Sequence, residues 1–420
     1  MEKRVTRRNF LLGSGAAALG LGGAGGLASI FPGRAYAETR IPPSGDKSGK
    51  QDTKRLQDAI DKGAKNIVLS NGVFYVLPRG LNLNKFSGGT LRGASTKGGR
   101  RTLLQRAGRA SGIQDGKVQA HAFISSVPLR NVRIENLTVE GRRGEYDLNA
   151  NKQVGGAIRF ALDNDKYNSK IVLRGVRILD WPGVAIFCDN MKDALVVGCE
   201  ILNPARGGYV FLRKSRFVEI RGNKALRCGD DAIALNTQYS SKISAPYPYG
   251  FKIERNELSV RRDKASRDGA CIALRGARGT GKWNLVYKND CRYGQHAGIY
   301  IGDDYTDANP KSHYCPANVH VVANRVSHSQ RDGIEVRTAD SVHPKTVRRG
   351  ASKIRIVGRN EIIEPAGNGI SFSKQTGVRG DIHLGESAVS GNSFAKMPKR
   401  SAKTKIGSGV EGVFVAREQK

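Results

Sequence analysis

Acidic residues are scarce in this chain of 420 residues: 37 Asp and Glu stand against 70 Lys and Arg, for a formal net charge of +33. Aromatic side chains make up only 7%, with two tryptophans and three methionines. No apolar heptad runs through the sequence, which excludes a coiled coil. Helical periodicity is confined to one short N-terminal segment, which excludes a helical bundle. Beyond residue 37 no apolar run reaches membrane-spanning length, so a polytopic membrane protein is excluded as well. Cys188, Cys199, Cys228, Cys271, Cys291 and Cys315 show no C-x-x-C spacing and lie mostly in apolar stretches, as expected of small buried hydrophobes. What is abundant is glycine, 52 residues or about 12%, nearly twice the usual share. It has no collagen period, and apolar residues at 39% are spread too evenly for a disordered chain.

The first 37 residues read as a targeting segment. Thr6-Arg7-Arg8-Asn9-Phe10-Leu11-Leu12 resembles the twin-arginine export consensus, and a Gly/Ala/Leu stretch leads to Ala35-Tyr36-Ala37, an A-x-A cleavage site. The expected mature chain starts at Glu38, has no stable membrane span and is periplasmic or secreted, and the twin-arginine translocation machinery is an expected partner. Taking the net +4 of residues 1–37 from +33 leaves +29 on residues 38–420.

A repeat organises those residues. Short alternating strands end in Asn at Asn223, Asn256, Asn289, Asn324, Asn360 and Asn392, with steps of 33, 33, 35, 36 and 32 residues. A second strand follows each, as in Asp231-Ala232-Ile233-Ala234-Leu235 and Gly298-Ile299-Tyr300-Ile301. Strands this short bury no core alone, but stacked coils bury a continuous one. With no helical pattern between the parallel strands, the expected fold is all-β: a right-handed parallel β-helix forming one domain over 38–420. Glycine would supply left-handed bends. The Asn series would form a side-chain ladder and adopt the left-handed conformation itself. Residues 38–65 would form a cap region, in which a capped amphipathic helix with Leu56, Ala59 and Ile60 on one face covers the open end.

The N-terminal passage resembles the opening of pectate-lyase-like right-handed β-helix proteins. Together with the export signal, it is similar to the twin-arginine-translocated β-helix repeat family. The resemblance implies the fold and leaves the activity open, because this fold hosts lyases, hydrolases, epimerases and non-enzymes.

Alternation in the second strand turns Asn236, Arg213, Arg275, Tyr300, Glu335, Arg337, Ser371 and Ser373 outward, as a stripe across coils about 4.8 Å apart. Three long insertions, Thr237–Gly250, Asp303–Ala317 and Thr338–Ser352, leave the same end of that strand and would wall a groove. Gly229-Asp230-Asp231 resembles the Gly-Asp-Asp strand of polygalacturonase-type glycosidases. Gln295-His296-Ala297-Gly298 is similar to their Gly-His-Gly motif, and Glu335-Val336-Arg337 to their Arg-x-Lys strand. The resemblance implies acid and water-activating roles for Asp230 and Asp231, with His296 assisting. Glu335 stands where that family has Arg, and its Asn-Thr-Asp motif has no counterpart. Asp231, like Asp332 and Asn368, also sits directly before a strand, as ordinary turn chemistry requires.

No cofactor is identified, but Asp303, Asp304 and Asp307 form an acidic run of a kind that suits Ca2+. The expected function is binding of an anionic polysaccharide, with cleavage or modification by lyase, epimerase or glycosidase chemistry. Arg213, Arg275 and Arg337 would pair with uronate carboxylates, Asn236 would bind substrate, and Tyr239 and Tyr247 would stack on sugar faces. Tyr300, His296 or an arginine would remove a C5 proton in elimination or epimerisation, whereas hydrolysis would use an Asp/Glu pair. The alternative is a non-catalytic repeat protein that binds envelope polymers. An isoelectric point near 10.2 also suits nucleic acid, but the export signal argues against that partner.

Overall fold

Each turn of the repeat lays down three short strands whose hydrogen bonds run to the coils before and after. The computed structural model describes residues 36–94, 102–106, 121–143, 155–162, 164–236, 248–262, 269–276, 283–302, 317–338, 352–374, 382–399, 401–408 and 410–415. The described residues from Ala37 onward group into one compact unit. Among the described residues, parallel strands stack into three long sheets. Sheet A starts at Glu38–Ile41 and ends at Val410–Val415, sheet B runs from Val73–Val76 to Ser393–Ala395, and sheet C from Leu81–Asn82 to Thr404–Ile406. A representative coil is Arg216–Arg221 in sheet A, Lys224–Cys228 in sheet B and Ile233–Asn236 in sheet C. The architecture is a right-handed parallel β-helix.

Inward residues stack in register along the axis, which is how strands of four residues share one core. On sheet C, Ile233, Ile272, Ile299, Ile334 and Ile370 follow one another and are fully buried. Ile220, Ile253, Val286, Val321 and Ile356 do the same on sheet A. Cys291 sits between Leu258 and Val326 in the sheet B column. The five described cysteines are buried, and burial pushes Cys188, Cys228 and Cys291 up from the ordinary thiol range. Cys315 lies outside the described residues.

The bend from sheet A to sheet B carries the asparagine ladder. Asn289 Nδ2 donates to Asn324 Oδ1 at 2.9 Å and to the Ile253 carbonyl at 3.0 Å, while its Oδ1 accepts from Asn256 Nδ2 at 2.9 Å and Asn256 N at 3.1 Å. Asn223, Asn256, Asn324, Asn360 and Asn392 extend the same chain of side-chain bonds. The ladder residues are not the left-handed ones. That conformation falls one residue earlier, at Gly222, Arg255, Lys288, Ala323, Arg359 and Gly391, and four of these six are not glycine. The backbone bonds of the neighbouring coils therefore hold ordinary side chains in a strained region. Some glycines answer to space instead. A Cβ on Gly298 would lie 2.1 Å from Val326 Cγ1, where the bend into sheet C crosses sheet B.

Helix α1, Lys50–Asp61, buries Leu56 and Ile60 against the first coil. Its N-cap is Gly49 in the left-handed region, without a side-chain cap, and Asp46 Oδ2 accepts from Gln51 N at 2.9 Å in its place. Gln57 closes the sheet C edge by donating to the Asn82 carbonyl at 3.1 Å and accepting from Asn82 N at 2.9 Å. No helix among the described residues is long and apolar enough to cross a membrane.

Candidate functional site

Two outward rows run down sheet C. The first contains Val210, Ala234, Ala273, Tyr300, Glu335 and Ser371; the second contains Leu212, Asn236, Arg275, Gly302, Arg337 and Ser373. The early coils are apolar here, with Val210, Leu212, Ala234 and Ala273 in one small cluster, and the polar strip begins where they end. Arg213 departs from the expected stripe. Leu212 holds the row position, and Arg213 follows it in the left-handed region, where the period of two is broken. Its guanidinium donates to the Leu162 carbonyl and lies 3.9 Å from Asp189, bracing earlier coils.

At the head of the strip Arg275 forks onto Asp231. Nη1 contacts Oδ2, and Nη2 donates to Oδ1 at 3.2 Å. Asp231 Oδ1 also accepts from Ala270 N of the next coil at 2.8 Å, and Arg275 Nη1 reaches Asn236 Oδ1 at 3.4 Å. Asp231 therefore closes a bend and neutralises an arginine, so its lone pairs are committed and the water-activating role has little left to work with. Asp332 repeats the bend pattern: its Oδ1 accepts from Asn368 N at 2.5 Å and its Oδ2 from the Ser371 hydroxyl. Asp230 differs. Its Oδ1 accepts from Asp231 N at 2.9 Å. Burial first, and then the charge of Asp231, push its carboxyl up to about 6, against the opposing pull of Arg275. A carboxyl raised this far can carry a proton near neutrality.

Two coils further on, His296, Tyr300, Glu335 and Arg337 come together. His296 Nε2 lies 2.8 Å from Glu335 Oε2, and Arg337 Nη2 lies 2.6 Å from Glu335 Oε1. The Glu335 side chain is only 4% exposed. Burial would raise its carboxyl, but His296 and Arg337 together outweigh that and hold it below the usual range, so Glu335 stays ionised and anchors both side chains. The Tyr300 ring meets His296 edge to face at 4.8 Å, and the Arg275 guanidinium stands 5.6 Å from its centroid.

Gly302 was not singled out from the sequence, yet it sets where the tyrosine ends. A Cβ there would lie 2.2 Å from the Tyr300 hydroxyl oxygen, so the hydroxyl rests over bare backbone. In its row Gly302 stands between Arg275 and Arg337, about 4.8 Å from each neighbouring strand. A glycine in an outward strand position is the signal for such a close approach.

Tyr239, Tyr247, Asp303, Asp304 and Asp307 lie outside the described residues. Among the described residues no group of three or more His, Cys, Asp or Glu is placed to hold a metal ion.

No family model matches the sequence, and no curated protein matches it. Solved structures do match in fold. The A-module of a mannuronan C-5 epimerase from Azotobacter vinelandii aligns with a TM-score of 0.50 and 13% identity, covering 87% of this chain and 96% of that one. The catalytic domain of a GH87 alpha-1,3-glucanase, in complex with nigerose, aligns at 0.57 and 14%, covering 92% and 70%. An endo-xylogalacturonan hydrolase from Aspergillus tubingensis aligns at 0.51 and 12%, covering 90% and 91%. These proteins share the right-handed parallel β-helix architecture and act on polysaccharides.

Proposed function

We propose that this chain binds an acidic polysaccharide along the polar strip of sheet C and removes the C5 proton of a uronate unit with Tyr300. The observation that carries the reading is the Tyr300 hydroxyl over Gly302, whose neighbours in the row are Arg275 and Arg337. The two guanidinium groups favour negative charge developing there. Arg337, whose side chain is 32% exposed, would take the uronate carboxylate with the donors that Glu335 leaves over.

In the step Tyr300 acts as its phenolate: the C5–H bond breaks, the proton passes to the phenolate oxygen and leaves a neutral phenol, and the electron pair spreads into the carboxylate held by Arg337. Elimination then forms the C4–C5 double bond as the C4–O4 bond breaks, with His296, anchored by Glu335, giving O4 its proton. Return of a proton to the opposite face of C5 would give epimerisation from the same intermediate. Hydrolysis has less support, because Asp231 and Glu335 are both committed to arginines. A non-catalytic role in binding envelope polymers is the second reading. It is favoured by the ion pairing of all three expected carboxylate-binding arginines, which leaves each only part of its charge for a ligand. We place the protein outside the cytoplasm, exported by the twin-arginine route.

The test is incubation of the purified protein with pectate, alginate and glucuronan, following absorbance of unsaturated ends and deuterium uptake at C5 in heavy water. Turnover by the wild type that is lost in Tyr300→Phe supports the reading. Saccharide retention without absorbance, deuterium uptake or new reducing ends supports the non-catalytic one.

A further inference from the structure

The outer face of sheet A changes character along the axis. In the early coils outward cations meet acids of the same face: Arg40 and Arg92 meet Glu38, Arg133 meets Glu135, and Lys252 meets Glu219 and Glu254. In the three strands that follow the pattern stops. The strands Asn284–Tyr287, Ala317–Val322 and Ser352–Val357 present Leu285, Tyr287, His320, Val322, Arg355 and Val357 outward, with no acid among their outward positions.

Trp283 enters this face half-buried and stacks on His320, with ring centroids 3.6 Å apart and planes inclined by 31°. The Arg355 guanidinium reaches to 5.0 Å from the indole centroid, and Lys288 Nζ stands 5.0 Å from the Tyr287 centroid. Arg355 and Lys288 are in no ion pair among the described residues. His320 Nε2 is buried with no hydrogen-bond partner. Burial and the Arg355 charge push the imidazole down to about 4, so at neutral pH it is an uncharged planar support for the indole.

We propose that this face of sheet A is a second saccharide-binding surface, separate from the sheet C strip, which takes an acidic glycan chain. An indole stacked on an imidazole, with a tyrosine further along the same face, offers flat apolar area that matches the C–H face of a pyranose ring. Two cations without acidic partners, on a chain with a large positive charge, complement uronate carboxylates on units either side of the stacked one. A neutral glycan would leave both cations unanswered. The choice of probe follows the acidic-polysaccharide reading above, but the site uses none of the residues of sheet C.

Intrinsic fluorescence tests the proposal, since the protein has two tryptophans and Trp181 is 1% exposed in the core. Titration with tetramers of galacturonate, mannuronate and glucuronate is expected to shift or quench the emission with at least one of them, and maltotetraose is expected to have no effect. The response should survive in Trp181→Phe and in Tyr300→Phe, vanish in Trp283→Phe, and weaken at least about tenfold in Arg355→Gln. Retention of Tyr300-dependent turnover with no Trp283 response to any acidic tetramer overturns this site and leaves the sheet C reading standing. A Trp283 response in a protein with no turnover separates the two the other way. Equal responses to maltotetraose, or to inorganic tetrapolyphosphate, would overturn the acidic-glycan assignment.

Discussion

Replacing Asp230 with Asn should remove a pH dependence from the stability of the fold. An ordinary Asp titrates near 3.8, whereas Asp230 does so at about 6, because burial and the Asp231 charge both oppose ionisation. Between those values the folded chain keeps a proton that the unfolded chain has lost. Stability therefore falls as pH rises through that window, and levels off above it. At about 1.4 kcal/mol per tenfold change in affinity, the loss is about 3 kcal/mol. The asparagine oxygen can still accept from Asp231 N, so the hydrogen bond survives without the charge. Urea unfolding at pH 4, 5, 6 and 7 should show the wild type losing about 2 kcal/mol relative to Asp230→Asn across the series, the rest of the loss falling below pH 4. Parallel curves would refute the reasoning, and so would a wild type that gains on the variant as pH rises.

Asn289→Ala removes a side chain making four buried hydrogen bonds, and should cost about 3–5 kcal/mol in the same unfolding assay. Gly298→Ala forces a methyl group to within 2.1 Å of Val326 Cγ1 and should cost about 1–3 kcal/mol, with Val326→Ala recovering part of the loss. Arg275→Ala strands the Asp231 carboxylate, whose side chain is 6% exposed, at an expected cost of about 3–5 kcal/mol. In the double variant Asp231→Ala/Arg275→Ala much of that loss should return, and a cycle that adds without coupling would contradict the pairing.

The parts of the molecule that follow a strict period were legible in the sequence. Ile233, Ile272, Ile299 and Ile334 are inward because they alternate, and the asparagine spacing marks one bend in every coil. The same alternation placed Asn236, Arg275, Tyr300, Glu335 and Arg337 in two outward rows. It failed at Arg213, because a left-handed residue directly after the strand breaks the period of two and swings the side chain toward Leu162 and Asp189. Pairing was the harder quantity. Asp231 and Arg275 are 44 residues apart, and only the stacking of coils joins them, so arginines expected to meet a ligand instead meet acids of the chain itself. The glycine excess was read as bend geometry, whereas Gly298 and Gly302 answer to close approach, which depends on neighbours that no local pattern names.

The most direct test of the central claim is proton exchange at C5 of a uronate polymer in heavy water, compared between the wild type and Tyr300→Phe at equal saccharide occupancy. Deuterium at C5, or unsaturated ends, formed by the wild type and reduced at least about a hundredfold in the variant is the expected result. Binding with no exchange by either protein, or equal exchange by both, would contradict a catalytic role for the hydroxyl that rests over Gly302.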